Sequence, residues 1–182
     1  MANTSTTDRV RSTVQLLLRR LPTDGWRFDA AVTSLSVLML TGIVLDFRSH
    51  AEGISFAEEG FFTPEHTFFY TMFLGIAVVL FVATFHRRRQ GASWLGAIPD
   101  GYRSGLAGVL VFGFAAVADF FWHRAFGFEQ SFEALVSPSH LLLAGGAVLF
   151  FASPLRAVWY REDQPRGLQL LPVVVPLALV FG

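Results

Sequence analysis

Residues 67–85 read TFFYTMFLGIAVVLFVATF, nineteen positions without a single charge. As a helix at 1.5 Å rise per residue this run is about 28 Å long, close to the hydrocarbon thickness of a bilayer. A soluble core helix of that length would carry a polar face, and none is visible here. The stretch therefore reads as a transmembrane helix, and it sets the frame for the rest of the chain.

Working outward, residues 30–45 form a second uncharged run, polar only at Thr33, Ser34, Ser36 and Thr41. Residues 104–118 form a third, which continues past Asp119 through Phe120, Phe121 and Trp122. Residues 141–155 form a fourth, long enough to span with residues 138–140 in front of it. The expected fold is all-α and polytopic, with four full transmembrane helices in two tandem hairpins. A fifth apolar stretch, 168–182, has only 15 residues, so the chain is expected to be part of a longer protein. The expected organisation is a cytoplasmic tail at 1–28, a first hairpin at 29–86 and a cytoplasmic loop at 87–102. A second hairpin at 103–160, a loop at 161–167 and the start of the fifth helix at 168–182 follow.

The 182 residues include 14 Arg, no Lys, no Cys and 20 Phe, with 53% hydrophobic residues and zero formal charge. Mean hydropathy is +0.49. Disordered, collagenous and disulfide-rich classes are excluded by this composition. Without Cys there is no thiolate metal site and no redox pair. The neutral balance argues against a general nucleic-acid binder.

Charge placement is more informative than the total. With the N-terminus in the cytoplasm, 12 of 14 Arg lie inside and only Arg48 and Arg124 outside. That asymmetry sets the expected orientation in the plasma membrane. Trp26 and Trp159 then fall at inner helix ends and Trp122 at an outer one. In the tail, Val10, Val14, Leu17, Leu18 and Leu21 recur at helical spacing beside Arg19 and Arg20, which suits a short interfacial helix or a loose basic tail. No apolar segment there resembles a cleavable signal peptide.

The chemistry lies in an internal repeat. Residues 46–70 read DFRSHAEGISFAEEGFFTPEHTFFY and residues 119–143 read DFFWHRAFGFEQSFEALVSPSHLLL. Each has Asp-x-x-x-His, a loop with Phe and Glu, then Thr/Ser-Pro-x-His opening an apolar run. Asp46, His50 and His66 match Asp119, His123 and His140, with His-to-His separations of 16 and 17. His86, beside three arginines, is the one histidine outside the pattern and reads as interfacial.

Asp and His at i and i+4 share a helix face. Thr63-Pro64 and Ser137-Pro138 read as N-cap plus N1, which puts His66 and His140 at N3 in the first turn. The side chains of each hairpin are expected to converge at the outer membrane face. Carboxylates near helix C-termini and ionisable groups at bilayer depth are unfavourable without partners. A positive helix end disfavours imidazolium, and neutral imidazole is the metal-binding form. One carboxylate and two imidazoles suit copper, zinc or iron rather than magnesium or calcium. Glu59 and Glu133, seven residues before His66 and His140, are candidate orienting partners. Three readings stand: a metal site, a metal-free Asp–His clamp, and bis-His haem ligation with Gly145 and Gly146 admitting a flat cofactor. Gly105 and Gly108, like Gly145 and Gly146, also suit close helix packing. No Walker, GxSxG or HExxH motif occurs.

At Asp119, Trp122, His123, Ser137, Pro138, Ser139 and His140 the chain resembles one of the subunits of the copper membrane monooxygenases, the particulate methane and ammonia enzymes. The hairpin at Asp46, His50, Glu59, Pro64 and His66 looks like a related second segment of that same family subunit, with Asp where the family has Asn. The resemblance covers about 50 residues in two pieces. It implies Asp119, His123 and His140 as copper ligands and Asp46, His50 and His66 as a second set. It also implies oxidation of a small apolar substrate within a multi-subunit assembly. The functions in view are a metal-dependent enzyme or enzyme subunit, a copper-handling protein, and a structural membrane module. The expected partners are the lipid bilayer and copies of this chain or other subunits, with no nucleic acid.

Overall fold

A computed structural model describes residues 22–51, 63–126, 136–161 and 166–181. Among these residues the regular structure is entirely helical. The elements are α1 (Gly25–Ala51), α2 (Pro64–Arg89), α3 (Trp94–Ala97), α4 (Arg103–Phe126), α5 (Pro138–Phe151), α6 (Ser153–Trp159) and α7 (Leu171–Phe181), with a 3-10 turn at Gly167–Leu170 before α7. Four segments are long and apolar enough to cross a membrane: Gly25–Ser49, Pro64–Arg89, Arg103–Phe126 and Pro138–Trp159. The chain is thus an all-α polytopic membrane protein, as its uncharged runs predicted.

The fourth span differs from a single straight helix. It is α5 followed by α6, with the junction at Ala152. Pro154 sits in the first turn of α6, where its missing N–H leaves the helix ladder incomplete. The Ser153 hydroxyl donates to the Leu149 carbonyl at 2.9 Å beside the break. The interfacial segment expected within residues 1–21 lies outside the described residues.

Glycine lets the helices of each hairpin approach. A methyl group on Gly42 would sit 2.8 Å from Phe68 Cδ1 and 2.9 Å from Phe69 Cβ, so α1 meets α2 there. A methyl on Gly108 would sit 2.5 Å from the Gly146 carbonyl oxygen and 2.7 Å from Leu149 Cβ. Small residues at a crossing give backbone-to-backbone packing, which drives helix association where lipid removes the hydrophobic incentive. Gly105, Gly108 and Gly146 thus fulfil the packing role expected of them. The face of Gly146 is closed by Gly108 and Phe112, whereas Gly145 has open space around it.

The two hairpins meet through aromatic rings. Phe73 of α2 lies 4.5 Å from Phe112 of α4 and 6.2 Å from Phe150 of α5, centroid to centroid. Phe112 and Phe150 stand edge to face at 5.7 Å. These offset and edge-to-face arrangements add to the packing of a core that also holds Ile76, Leu80 and Val109. Leu74, Leu110, Phe114, Val117 and Phe121 point outward and are exposed, as lipid-facing residues must be.

Both hairpin tips lie at one end of the bundle. At the other end the start of α1 meets the chain before α4 and the end of α6. Asp29, fully buried in α1, accepts a hydrogen bond from the Tyr102 hydroxyl at 2.8 Å. It also pairs with the Arg161 guanidinium. Burial, followed by the adjoining Asp29 carboxylate, pushes the Tyr102 phenol well above its ordinary range, so it is a neutral donor. This cluster links residues 73 and 132 positions apart. Asp29→Asn keeps an acceptor for Tyr102 but removes the charge that Arg161 answers. Unfolding in detergent should register a loss of about 1.5 kcal/mol, the low end for a charge-assisted bond because Arg161 is partly exposed.

Candidate metal centre

Each hairpin tip is built by a capped helix start facing a helix end. Thr63 has extended backbone angles, φ −69° and ψ 163°, and its hydroxyl accepts from the His66 N–H at 3.1 Å. Ser137, at φ −62° and ψ 150°, accepts from the His140 N–H at 3.3 Å. Pro64 and Pro138 follow at N1, where a proline loses no helix bond. His66 and His140 therefore stand at N3, as their spacing from the caps predicted. Removing the Ser137 hydroxyl (Ser137→Ala) should cost about 1 kcal/mol of stability, measured by denaturant unfolding in micelles.

The second tip brings its three residues together. Asp119 is almost fully buried at the end of α4. Its Oδ2 lies 3.5 Å from His123 Nε2, and its Oδ1 lies 3.7 Å from His140 Nδ1. One donor atom from each residue falls within 4.8 Å of the other two. Metal–nitrogen and metal–oxygen bonds of 2.0–2.1 Å place tetrahedral ligand atoms about 3.3 Å apart. The two Asp119 contacts are made by different carboxylate oxygens, and the three donor atoms are grouped within 4.8 Å, so the side chains would draw inward to close on an ion. The imidazoles of His123 and His140 stand edge to face with centroids 5.6 Å apart. Side-chain exposure rises from 2% at Asp119 and 9% at His123 to 30% at His140, so the site opens on the His140 side.

Ser139 is an additional component that the repeat pattern does not assign. Its hydroxyl donates to Asp119 Oδ1 at 2.8 Å from the first turn of α5. It thereby anchors the carboxylate across the hairpin. Ser137 Oγ lies 2.7 Å from His140 Nδ1 and 3.2 Å from Ser139 Oγ. The signal is present as two serines flanking Pro138, but helical spacing alone does not tell which hydroxyl reaches back to α4.

The first tip makes a tighter contact between two of its residues. Asp46 Oδ1 lies 2.9 Å from His66 Nδ1, and Thr63 Oγ1 lies 3.1 Å from the same nitrogen. Nδ1 thus faces both the Asp46 carboxylate and the Thr63 hydroxyl. His50 belongs to α1, but its side chain lies outside the described set, as do Glu59 and Glu133. Where the second hairpin has Ser139, the first has Glu65, whose carboxylate accepts from the Ser49 hydroxyl at 3.5 Å rather than supporting the aspartate.

Tyr70 stands between the tips. Its ring packs on Phe69 at 4.4 Å, on His66 at 6.0 Å and on Phe112 at 6.3 Å. Its phenol is within electrostatic reach of both Asp119 and Asp46. Tyr70 thus joins the first tip to the aromatic core between the hairpins. Trp122, expected at an outer helix end, is half-buried against Phe126 at 4.6 Å, whereas Trp26 and Trp159 are exposed. His86 sits at the far end of α2, 3.0 Å from the Gln90 side chain and away from both tips. No protein-family model matches the chain, and neither does any curated protein or solved structure.

Proposed function

We propose that this integral membrane protein binds a transition-metal ion, copper before zinc or iron, through Asp119, His123 and His140. Asp46, His50 and His66 make a second site of the same kind. The observation that carries the proposal is the convergence of the three donor atoms within 4.8 Å at the second tip. Donor chemistry supports it: two imidazoles and one carboxylate suit a borderline ion, and the carboxylate is oriented by Ser139. The choice of copper, and a role as a monooxygenase-type component acting on a small apolar substrate, rest on the resemblance to the copper membrane monooxygenases.

A bound copper ion would supply redox and Lewis-acid chemistry at the bundle end. The protein's own part is positional. Asp119 and the histidines would supply the ligand cage, Ser139 holds the Asp119 carboxylate, and Phe69 and Tyr70 pack beside His66 at the first tip. The orientation is N-terminus inside and sites outside, in the cell membrane. It is supported by Arg27, Arg87, Arg103, Arg156 and Arg161 at the far end against Arg48 and Arg124 at the tips.

A metal-free clamp is favoured by a different observation, the direct Asp46–His66 contact at 2.9 Å. Metal analysis of the purified full chain after copper and zinc loading separates the readings, with an optical spectrum to register any haem. Wild type should retain metal, and His123→Ala and His50→Ala should each retain less. Protein that stays free of metal after both loadings would leave only the clamp.

A further inference from the structure

The end of the bundle opposite the histidines holds a cavity of about 760 Å³. It lies where α1 begins, α2 and α6 end and α4 starts. Four arginines and three aspartates line it. Two of the arginines are already answered. Arg161 pairs with Asp29 on the cavity floor, and Arg87 pairs with Asp24 at 3.3 Å.

The other two arginines are not neutralised by these pairs. Arg156 directs Nη1 at two uncharged acceptors, the Ser104 hydroxyl at 2.5 Å and the Leu149 carbonyl at 3.2 Å. Arg103, exposed at the mouth, forms no ion pair among the described residues. Asp100 is the one lining carboxylate outside the pairs, and it too is exposed. Among the described lining residues there is one more arginine than aspartate, and Arg103 and Asp100 are exposed while Asp29 is buried.

We infer that this cavity binds a phosphate-bearing anion, held by Arg103 and Arg156, and that its source is the headgroup of an acidic phospholipid. Guanidinium groups match phosphate geometry through paired N–H donors. Lipid supply follows from position, because the lining residues sit at the ends of membrane spans, at headgroup depth. Basic pockets between transmembrane helices are a recurrent form of headgroup recognition. The first turn of α4 also lines the cavity and adds the positive end of a 24-residue helix. Gly101 makes the geometry possible: its φ of +84° and lack of a side chain let the turn before α4 lie directly on the Ala157 backbone, which closes the cavity wall. This inference is independent of any metal at the other end.

The test uses the full chain purified in non-ionic detergent. Thermal unfolding is followed while phosphatidylglycerol, phosphatidylcholine or inorganic phosphate is added at matched ionic strength. Phosphatidylglycerol should raise the unfolding temperature and phosphatidylcholine should not. Arg103→Gln and Arg156→Gln should each raise the half-saturating lipid concentration roughly tenfold. Asp100→Asn should lower it several-fold. Should Arg156→Gln fail to fold, the exposed Arg103 and Asp100 variants still decide the matter. A rise with inorganic phosphate equal to that with lipid retains the anion site and overturns the lipid source in favour of a soluble one. Equal responses to both lipids, or half-saturation unchanged in Arg103→Gln and Asp100→Asn, would overturn the inference.

Discussion

His123→Ala is expected to weaken copper retention at the second hairpin tip by at least about 100-fold while leaving the bundle folded. Loss of a group that merely orients a ligand costs about 10–100-fold in metal affinity, and loss of a ligand costs more. His123 lies near the end of α4, 3.5 Å from Asp119, with its side chain 9% exposed. Its removal leaves Asp119 the bond from Ser139, so the protein should still fold, at a cost of about 1–3 kcal/mol. Asp119→Asn sharpens the result. The amide oxygen still accepts from Ser139, so the cross-hairpin bond survives, whereas the negative charge offered to a cation is gone. A metal site predicts copper loss in both variants with modest changes in stability. A clamp predicts no copper in wild type, and a stability loss in Asp119→Ala of about 1–3 kcal/mol from the stranded Ser139 hydroxyl. Copper content by metal analysis and unfolding temperature, measured on the same samples, tell these apart.

Gly108→Leu should have the largest structural effect. The added Cβ alone would meet the Gly146 carbonyl oxygen at 2.5 Å and the Phe150 amide nitrogen at 3.1 Å. Both are backbone atoms and cannot rotate away. Overpacking in a close-fitted interior costs about 1–3 kcal/mol even when side chains can adjust, so about 3 kcal/mol or more is expected here. The effect should reach the Asp119, His123 and His140 cluster. Asp119 of α4 meets Ser139 and His140 of α5 only while the two helices cross closely, and a wider crossing would lengthen the 2.8 Å bond from Ser139. Gly108→Leu should therefore lower both unfolding temperature and copper retention, whereas Gly145→Leu should spare both, because Gly145 faces open space. Normal copper retention by Gly108→Leu protein would show that the hairpin crossing does not hold the site together.

Much of this architecture was legible in the sequence because a bilayer imposes so few solutions. An uncharged run such as residues 67–85 has no water to satisfy its backbone, so it must bond to itself as a helix. The caps were equally legible. Thr63 and Ser137 precede prolines that tolerate only the first turn, and their hydroxyls accept from His66 and His140 as the spacing required. The i, i+4 relation of Asp119 and His123 was local in the same way. The interruption at Ala152 was signalled by Ser153-Pro154, yet the run from 141 to 155 reads as continuous because hydropathy does not register a missing N–H.

The contacts between distant residues were not legible. Asp29 reads as an isolated acid at the edge of an apolar run, and nothing local points to Tyr102 or Arg161. Tyr70 reads as one aromatic among many in a lipid-facing stretch, and its position between the two tips depends on how the hairpins dock. Ser139 could equally have faced lipid.

The amino-acid sequence by itself determined the helices, their caps and the Asp–His pattern, because those follow from hydrogen bonding and spacing within one segment. The tertiary structure alone decided which glycines meet and that Ser139 reaches Asp119. It also decided that arginines from the end of α2, the start of α4 and the α6 segment gather around one cavity. Helix rotation and crossing are set by side-chain packing between segments, and no single segment carries that information.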